Sequence, residues 1–245
     1  RAQSTMAPIF NLANETLLTI EDLDKEEEIR KAVNACCQKF IKQFESSGHT
    51  ISELATDLIK DESTIIVHSY SSTVLDALIF AKKAGKKFDI ICTESRPMNE
   101  GVYLAEKLGK KGIKVTLIVD SAVFSFVPDA QIVFVGSDAL SSYGLVNKIG
   151  TLGLAIAARE LKTDFYALCS SAKILPAGYK IKLNDVKDPK EILSGTIETV
   201  TPINLYYDLT PLPNLNGIIT EKGIINPHEM EQHIKRLRIH QKLSD

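Results

Sequence analysis

The chain has 245 residues, 44% hydrophobic and 24% charged, enough apolar material for one large domain or one domain with a smaller companion. Its formal charge of −2 carries no electrostatic footprint of a nucleic-acid or membrane binder. Four cysteines (Cys36, Cys37, Cys92, Cys169) show neither C-x-x-C spacing nor a histidine cluster, which argues against a zinc site and suits a reducing cytosol. No run of about eighteen apolar residues and no secretion signal is legible, so a cytoplasmic location is expected. The chain opens on Arg1 rather than Met, and the natural start is expected to lie upstream.

Residues 1–60 are predicted to form a small helical domain. Ile29, Val33, Cys36, Phe40, Ile41 and Phe44 recur at three- and four-residue intervals and make one apolar stripe. The acidic run Glu21, Asp22, Asp24, Glu26, Glu27, Glu28 precedes it, where negative charge suits a helix N-terminus. Gly48-His49 interrupts the pattern, and Thr50-Ile51-Ser52-Glu53 has the form of a capping box that opens a second, short helix to Lys60. A single stripe needs a covering surface, so this part is expected to pack on a neighbour or on the rest of the chain.

Residues 61–245 read as alternating strands and helices. β-Branched runs stand at Thr64-Ile65-Ile66-Val67, Phe88-Asp89-Ile90-Ile91, Val115-Thr116-Leu117-Ile118-Val119, Ile132-Val133-Phe134-Val135 and Asp164-Phe165-Tyr166-Ala167-Leu168, with a sixth at Gly217-Ile218-Ile219. Helices are predicted over 72–84, 101–108, 121–126 and 152–161, with Gly85, Gly109 and Gly112 where helices stop. Residues 173–200 are polar, contain Pro176 and Pro189, and read as an excursion from the sheet. A last helix starts at Asn226-Pro227. The predicted class is α/β: a Rossmann-like, mostly parallel sheet with helices on both faces, preceded by the helical domain.

Familiar cofactor motifs are missing. There is no G-x-x-x-x-G-K-[ST], no G-x-G-x-x-G after the first strand and no G-x-S-x-G. Four polar clusters remain, each after a predicted strand, where open α/β sheets bind ligands. His68-Ser69-Tyr70-Ser71-Ser72 supplies helix caps or phosphate contacts. As neighbours leaving a strand, His68 and Ser69 point apart and make a poor nucleophile–base pair. In Thr93-Glu94-Ser95-Arg96-Pro97, Arg96 either binds an anion bidentately or pairs with Glu94 or Glu100. Asp120-Ser121 reads as an N-cap. The fourth cluster, Gly136-Ser137-Asp138 with Asn147-Lys148-Ile149-Gly150-Thr151, reads as a loop and helix start. It brings an acid, an amine and free backbone N–H groups near Gly150 to the sheet edge; the plainer reading is an Asp ending a strand and a Lys facing water.

These clusters, with Asp208-Leu209-Thr210-Pro211 and Ile218-Ile219-Thr220-Glu221-Lys222-Gly223, resemble in order and spacing the alpha/beta/delta regulatory-subunit family of eukaryotic translation initiation factor 2B. That family also includes methylthioribose-1-phosphate and ribose-1,5-bisphosphate isomerases. The resemblance spans residues 60–240. It implies that the isomerases' catalytic pair, a cysteine and an aspartate, falls at Ser69 and Asp138. A thiol ionises near pH ~8.5, and an alcohol is a far weaker acid. The isomerases carry Gln where this chain has Glu100, and their anion-binding arginine would fall near Met6. Arg96, Asp138, Asn147 and Lys148 are retained, and His68-Ser69-Tyr70-Ser71 is closest to the alpha-type regulator.

The resemblance therefore implies a non-catalytic regulatory subunit that binds initiation factor 2 or sister subunits, forms a homodimer, and makes its contacts through the sheet edge and residues 208–223. A retained pocket of His68, Ser69, Tyr70, Arg96, Glu100, Asp138, Asn147, Lys148 and Gly150 is expected to hold a sugar phosphate or nucleotide, with no metal and no cofactor. The alternatives are an aldose–ketose isomerase using Asp138, and a metabolite-binding protein unrelated to translation.

Overall fold

The computed structural model describes residues 7–181, 183, 186–195 and 197–244. Met6 lies outside them, so the expectation attached to it has no structural counterpart. Among the described residues no helix is long and apolar enough to cross a membrane.

Helix α1 (Ala7–Ile20) leads into α2 (Glu26–Leu58), which starts on three glutamates. The break predicted at Gly48 does not occur: α2 runs through it as one helix of 33 residues. Within the stretch read as a capping box, Ser52 Oγ donates to the Gly48 carbonyl at 2.7 Å, the i to i−4 bond of a serine inside a helix. Beyond it, Ile51, Ala55 and Ile59 are buried in the core under the sheet. That burial outweighs the cost of a mid-helix glycine, about 1 kcal/mol. Along the predicted stripe, Cys36 is buried while Ile41 and Phe44 stay exposed; α1 covers only part of the stripe.

The rest follows a doubly wound pattern. In chain order come β1 (Ser63–His68), α3 (Ser72–Lys83), β2 (Phe88–Thr93), α4 (Glu100–Gly109), β3 (Val115–Ile118), the short α5 (Val123–Phe126) and β4 (Ile132–Val135). After them come β5 (Ala139–Ser141), β6 (Gly144–Lys148), α6 (Thr151–Leu161), β7 (Asp164–Leu168), β8 (Tyr207–Thr210), β9 (Gly217–Thr220), β10 (Gly223–Ile225) and α7 (Pro227–Arg236). Seven strands form one sheet in the order β10-β9-β7-β4-β1-β2-β3. All its pairs are parallel except β9 with β10.

Alternate strand residues feed two cores, as the strand period requires. Ile66, Val133, Val135 and Ala167 pack under α6 and α7 with Leu154, Ala158 and Met230. Ile65, Val67, Ile132 and Phe134 pack with Ile51, Leu78 and Leu104 of α2, α3 and α4. The chain winds outward from β1 in both directions, so the loops after β1 and β4 part and leave a crevice at the switch point.

Four strands were not predicted, β5, β6, β8 and β10. The stretch read as loop and helix start contains β5 and β6, which pair with β8 in a second, antiparallel sheet. In it Asn147 stands opposite Asp208, so a partner about 60 residues on in the chain supplies the pairing. The helix predicted over 121–126 is reduced to a 3-10 turn (Asp120–Ala122) and α5.

Candidate functional site

The crevice floor is a buried hydrogen-bonded chain. His68, the last residue of β1, meets Thr93 Oγ1 through Nδ1 at 2.7 Å and the Ile149 carbonyl through Nε2 at 2.9 Å. A carbonyl only accepts, so Nε2 carries the hydrogen and Nδ1 accepts from the threonine hydroxyl. Burial pushes the His68 pKa below its ordinary value, which keeps the ring neutral. His68 thus ties β1 and β2 to the entry of α6.

Ser69 turns the chain at φ 65°, and its N–H donates to Ser95 Oγ at 2.8 Å. Ser71 caps α3, accepting from the Val74 N–H at 3.3 Å. Gly136 permits this cap to sit against the end of β4, because a Cβ there would fall 2.6 Å from that of Ser71. Tyr70 stands at the rim against Tyr103, ring centroids 5.1 Å apart.

The second cluster is held by a residue whose expected role was different. Asp120 does not cap its own turn, a place taken by Val119. Its two carboxylate oxygens accept the Ser95 and Arg96 N–H groups, both at 2.7 Å. The Arg96 side chain is exposed and pairs with neither Glu94 nor Glu100; its Nη2 donates to the Glu191 carbonyl at 3.4 Å.

Lys148 and Glu100 form the electrostatic centre. Lys148 Nζ lies 2.8 Å from Glu100 Oε1, with the lysine side chain 5% exposed and the glutamate 30%. The ammonium also sits 4.8 Å from the centroid of the Tyr206 ring, a cation–π contact. The Tyr206 hydroxyl donates to Glu191 Oε2 at 2.5 Å, as does Asn204 Nδ2 at 2.6 Å. Lys148 is therefore no solvated lysine, and its charge is already met from inside the chain.

Asp138 enters beside this pair, its N–H donating to the Val146 carbonyl at 2.9 Å. Burial raises the Asp138 carboxyl above its ordinary pKa, and Glu100 adds to the rise while Lys173 and Lys148 oppose it. Lys173 is fixed nearby, donating to the Ser137 carbonyl at 2.6 Å.

The N–H groups at the start of α6 are not free, contrary to expectation. Asp208 Oδ2 accepts from Gly150 at 2.8 Å and from Leu152 at 3.1 Å. A phosphate there would have to displace this internal carboxylate. Burial raises the Asp208 pKa to about 6, against the lowering effect of both N–H bonds. Gly150 holds φ 104°, and a Cβ on it would lie 3.1 Å from the His68 ring. Asn147 is also turned inward, donating to Thr151 Oγ1 at 3.0 Å, while that hydroxyl donates to the Lys148 carbonyl at 2.6 Å. Residues 208–223, expected as a contact surface, send Leu212, Leu215, Ile218 and Ile219 into the interior and leave Pro211, Pro213, Asn216 and Lys222 exposed.

The thiols are equally committed. Cys92 Sγ donates to the Gly101 carbonyl at 3.2 Å, and burial pushes its pKa to about 12. Cys169 is pushed by burial to about 11. Both are therefore protonated at neutral pH. Among the described residues no group of three His, Cys, Asp or Glu side chains is placed to hold a metal ion.

The crevice thus brings His68, Ser69, Glu100, Asp138, Asn147, Lys148 and Gly150 together, with Tyr70 and Arg96 at its rim. Sequence reasoning missed Tyr206, Glu191 and Lys173, and it missed the carboxylate role of Asp208. The first three lie in or beside the polar excursion, where no periodicity marks them. Only the opposition of Asp208 to Asn147 across β6 and β8 explains the fourth.

Comparison with known proteins places these features in context. Residues 1–227 match the initiation factor 2 subunit family. A Pyrococcus furiosus protein described as translation initiation factor eIF-2B subunit 2-like is 36% identical, over 91% of this chain and 76% of its own length. The ribose 1,5-bisphosphate isomerase of Archaeoglobus fulgidus is also 36% identical, over 82% of this chain and 66% of its own. Among solved structures, the translation initiation factor eIF-2B of Pyrococcus horikoshii OT3 is similar with a TM-score of 0.76 at 32% identity, covering 94% of this chain and 78% of that one.

Proposed function

The chain belongs to the initiation factor 2 subunit family, and from that premise we propose that it is a non-catalytic, regulatory member of the initiation factor 2B type. In this reading it binds initiation factor 2 or sister subunits, acts as a cytoplasmic homodimer, and keeps its crevice as a vestigial ligand pocket for a sugar phosphate or nucleotide. The observation that carries the reading is the state of Ser69. Proton transfer between adjacent carbons needs an acid or base poised near neutral pH. Ser69 offers an alcohol, and the one base beside it in sequence, His68, has both ring nitrogens engaged by Thr93 and Ile149. An unactivated alcohol is a poor participant in such chemistry. The Glu100 carboxylate on Lys148 argues in the same direction, since it occupies the cation a phosphate would seek.

A second reading, an aldose–ketose isomerase, draws on Asp138, whose buried carboxyl has the raised pKa of a general acid–base group. One pair of assays separates the two. Purified protein is incubated with ribose 1,5-bisphosphate and with methylthioribose-1-phosphate, and is separately passed over immobilised initiation factor 2. The regulatory reading expects no turnover, and retention that is indifferent to sugar phosphate. Turnover that disappears in Asp138→Asn installs the isomerase in its place. Inactivity together with absence of retention removes both.

A further inference from the structure

A second cavity lies away from Ser69. It occupies about 610 Å³ between α1, α2, α7 and the C-terminal ends of β7 and β9, within the size range of small-molecule sites. Its walls are fixed by hydrogen bonds. Asn11 Nδ2 donates to the carbonyls of Ala172 and Ile174, both at 2.8 Å. Asn14 donates to the Arg238 carbonyl at 2.9 Å and accepts the His240 N–H at 2.8 Å. A cavity held in this way needs little reorganisation on binding.

Its lining is divided in character. Leu18, Phe40 and Phe44 make an apolar side, and Lys222 and His233 stand among the polar residues. Phe44 is 42% exposed, so an occupant would remove aromatic surface from water. Most charges around the cavity are already answered. Arg238 forks onto Glu21 at 2.7 and 2.8 Å. Lys39 lies 3.9 Å from Glu15, and the Glu221 carboxylate accepts both the N–H and the hydroxyl of Ser171. Lys222 and His233 are the exception: among the described residues neither side chain has a hydrogen-bond or carboxylate partner. Each disfavours a second positive charge on the other, and burial, then Lys222 and Arg236, hold the His233 pKa below its ordinary value. An anion placed between them relieves that repulsion.

We propose that this cavity binds a small amphipathic anion, its apolar or aromatic body against Phe40 and Phe44 and its anionic group on Lys222 and His233. The site is separate from the Ser69 crevice and does not depend on which function that crevice serves.

The test uses the whole chain and the probe 8-anilinonaphthalene-1-sulfonate, an aromatic anion followed by its fluorescence. Saturable binding at one site per chain is expected, with competition by phenyl phosphate but not by equal concentrations of phenol or inorganic phosphate, each of which satisfies only half the site. Lys222→Glu and Phe44→Ser are each expected to weaken binding about tenfold or more. Both residues are exposed, so the variants should fold, which the thermal midpoint checks. Lys111→Glu, at the opposite end of the strands, should bind like the parent. The proposal is overturned by absence of saturable binding, by equal competition from phenol, or by parent-like affinity in both cavity variants.

Discussion

Lys148 shows how one side chain sets the character of the crevice. An ammonium only 5% exposed is stable because a carboxylate and a ring face meet it, and removing such a partner leaves a buried charge uncompensated. Glu100→Ala is expected to destabilise the protein by about 3 kcal/mol, and Glu100→Gln by less, because the amide oxygen still accepts from Lys148. The same Glu100→Gln change removes the negative charge that competes with phosphate. It is expected to raise affinity for ribose 5-phosphate about tenfold or more, read by calorimetric titration; unchanged affinity would show that Glu100 does not guard the lysine.

Asp208 carries a pH signature of defined sign. Its folded pKa of about 6 lies above the ~3.9 of an unfolded aspartate, so the folded chain holds the proton more tightly. The associated stability is complete below about pH 4 and is lost as pH rises through about 6. Relative to Asp208→Asn, which does not titrate, the parent should lose on the order of 2 kcal/mol between pH 4 and pH 7. Urea midpoints at the two pH values measure this, and a pH-independent difference contradicts it.

At the scale of elements, α2 and the entry of α6 make opposite demands on glycine. Gly48 sits inside a continuous helix, with nothing within 4 Å of an added Cβ. Gly48→Ala is therefore expected to stabilise the protein by about 0.5–1 kcal/mol, seen as a higher urea midpoint at unchanged slope. A helix broken at that point would gain nothing. Gly150 holds a left-handed turn against His68, and Gly150→Ala should cost more than about 1 kcal/mol.

These cases also mark what was legible. β1 and β4 are apolar runs buried on both faces, and their composition declares them. β5 and β6 are short and gain their identity from β8, so the local pattern alone could not reveal them. Asp120 and Asp208 likewise looked like a cap and a motif residue. Each is a carboxylate that gathers two backbone N–H groups from elsewhere in the chain.

For the whole molecule, the question is which surface carries the assembly the regulatory reading requires. β3 is an edge strand with Leu117 exposed, and an unpaired edge invites a partner. Phe124 of α5 lies 3.5 Å from the Cβ position of Gly153 on α6, and Ile156, three residues further on, is exposed as well. The proposed homodimer is expected to make its contact through this apolar face. Phe124→Asp is expected to shift the sedimentation coefficient from dimer to monomer without loss of fold. Parent-like sedimentation would move the contact elsewhere.

The sequence by itself determined the class of the molecule: apolar β-branched runs spaced by helices impose a parallel sheet, and the clusters after those strands place a crevice at its edge. It also determined that position 69 offers an alcohol, because residue type alone separates an alcohol from a thiol. Tertiary structure alone decided the state of what remained. Whether Lys148 and the α6 N–H groups are free, or already satisfied by Glu100 and Asp208, depends on carboxylates 48 and 58 residues away in the chain. Electrostatic pairing is governed by distance through space, which only the folded chain fixes.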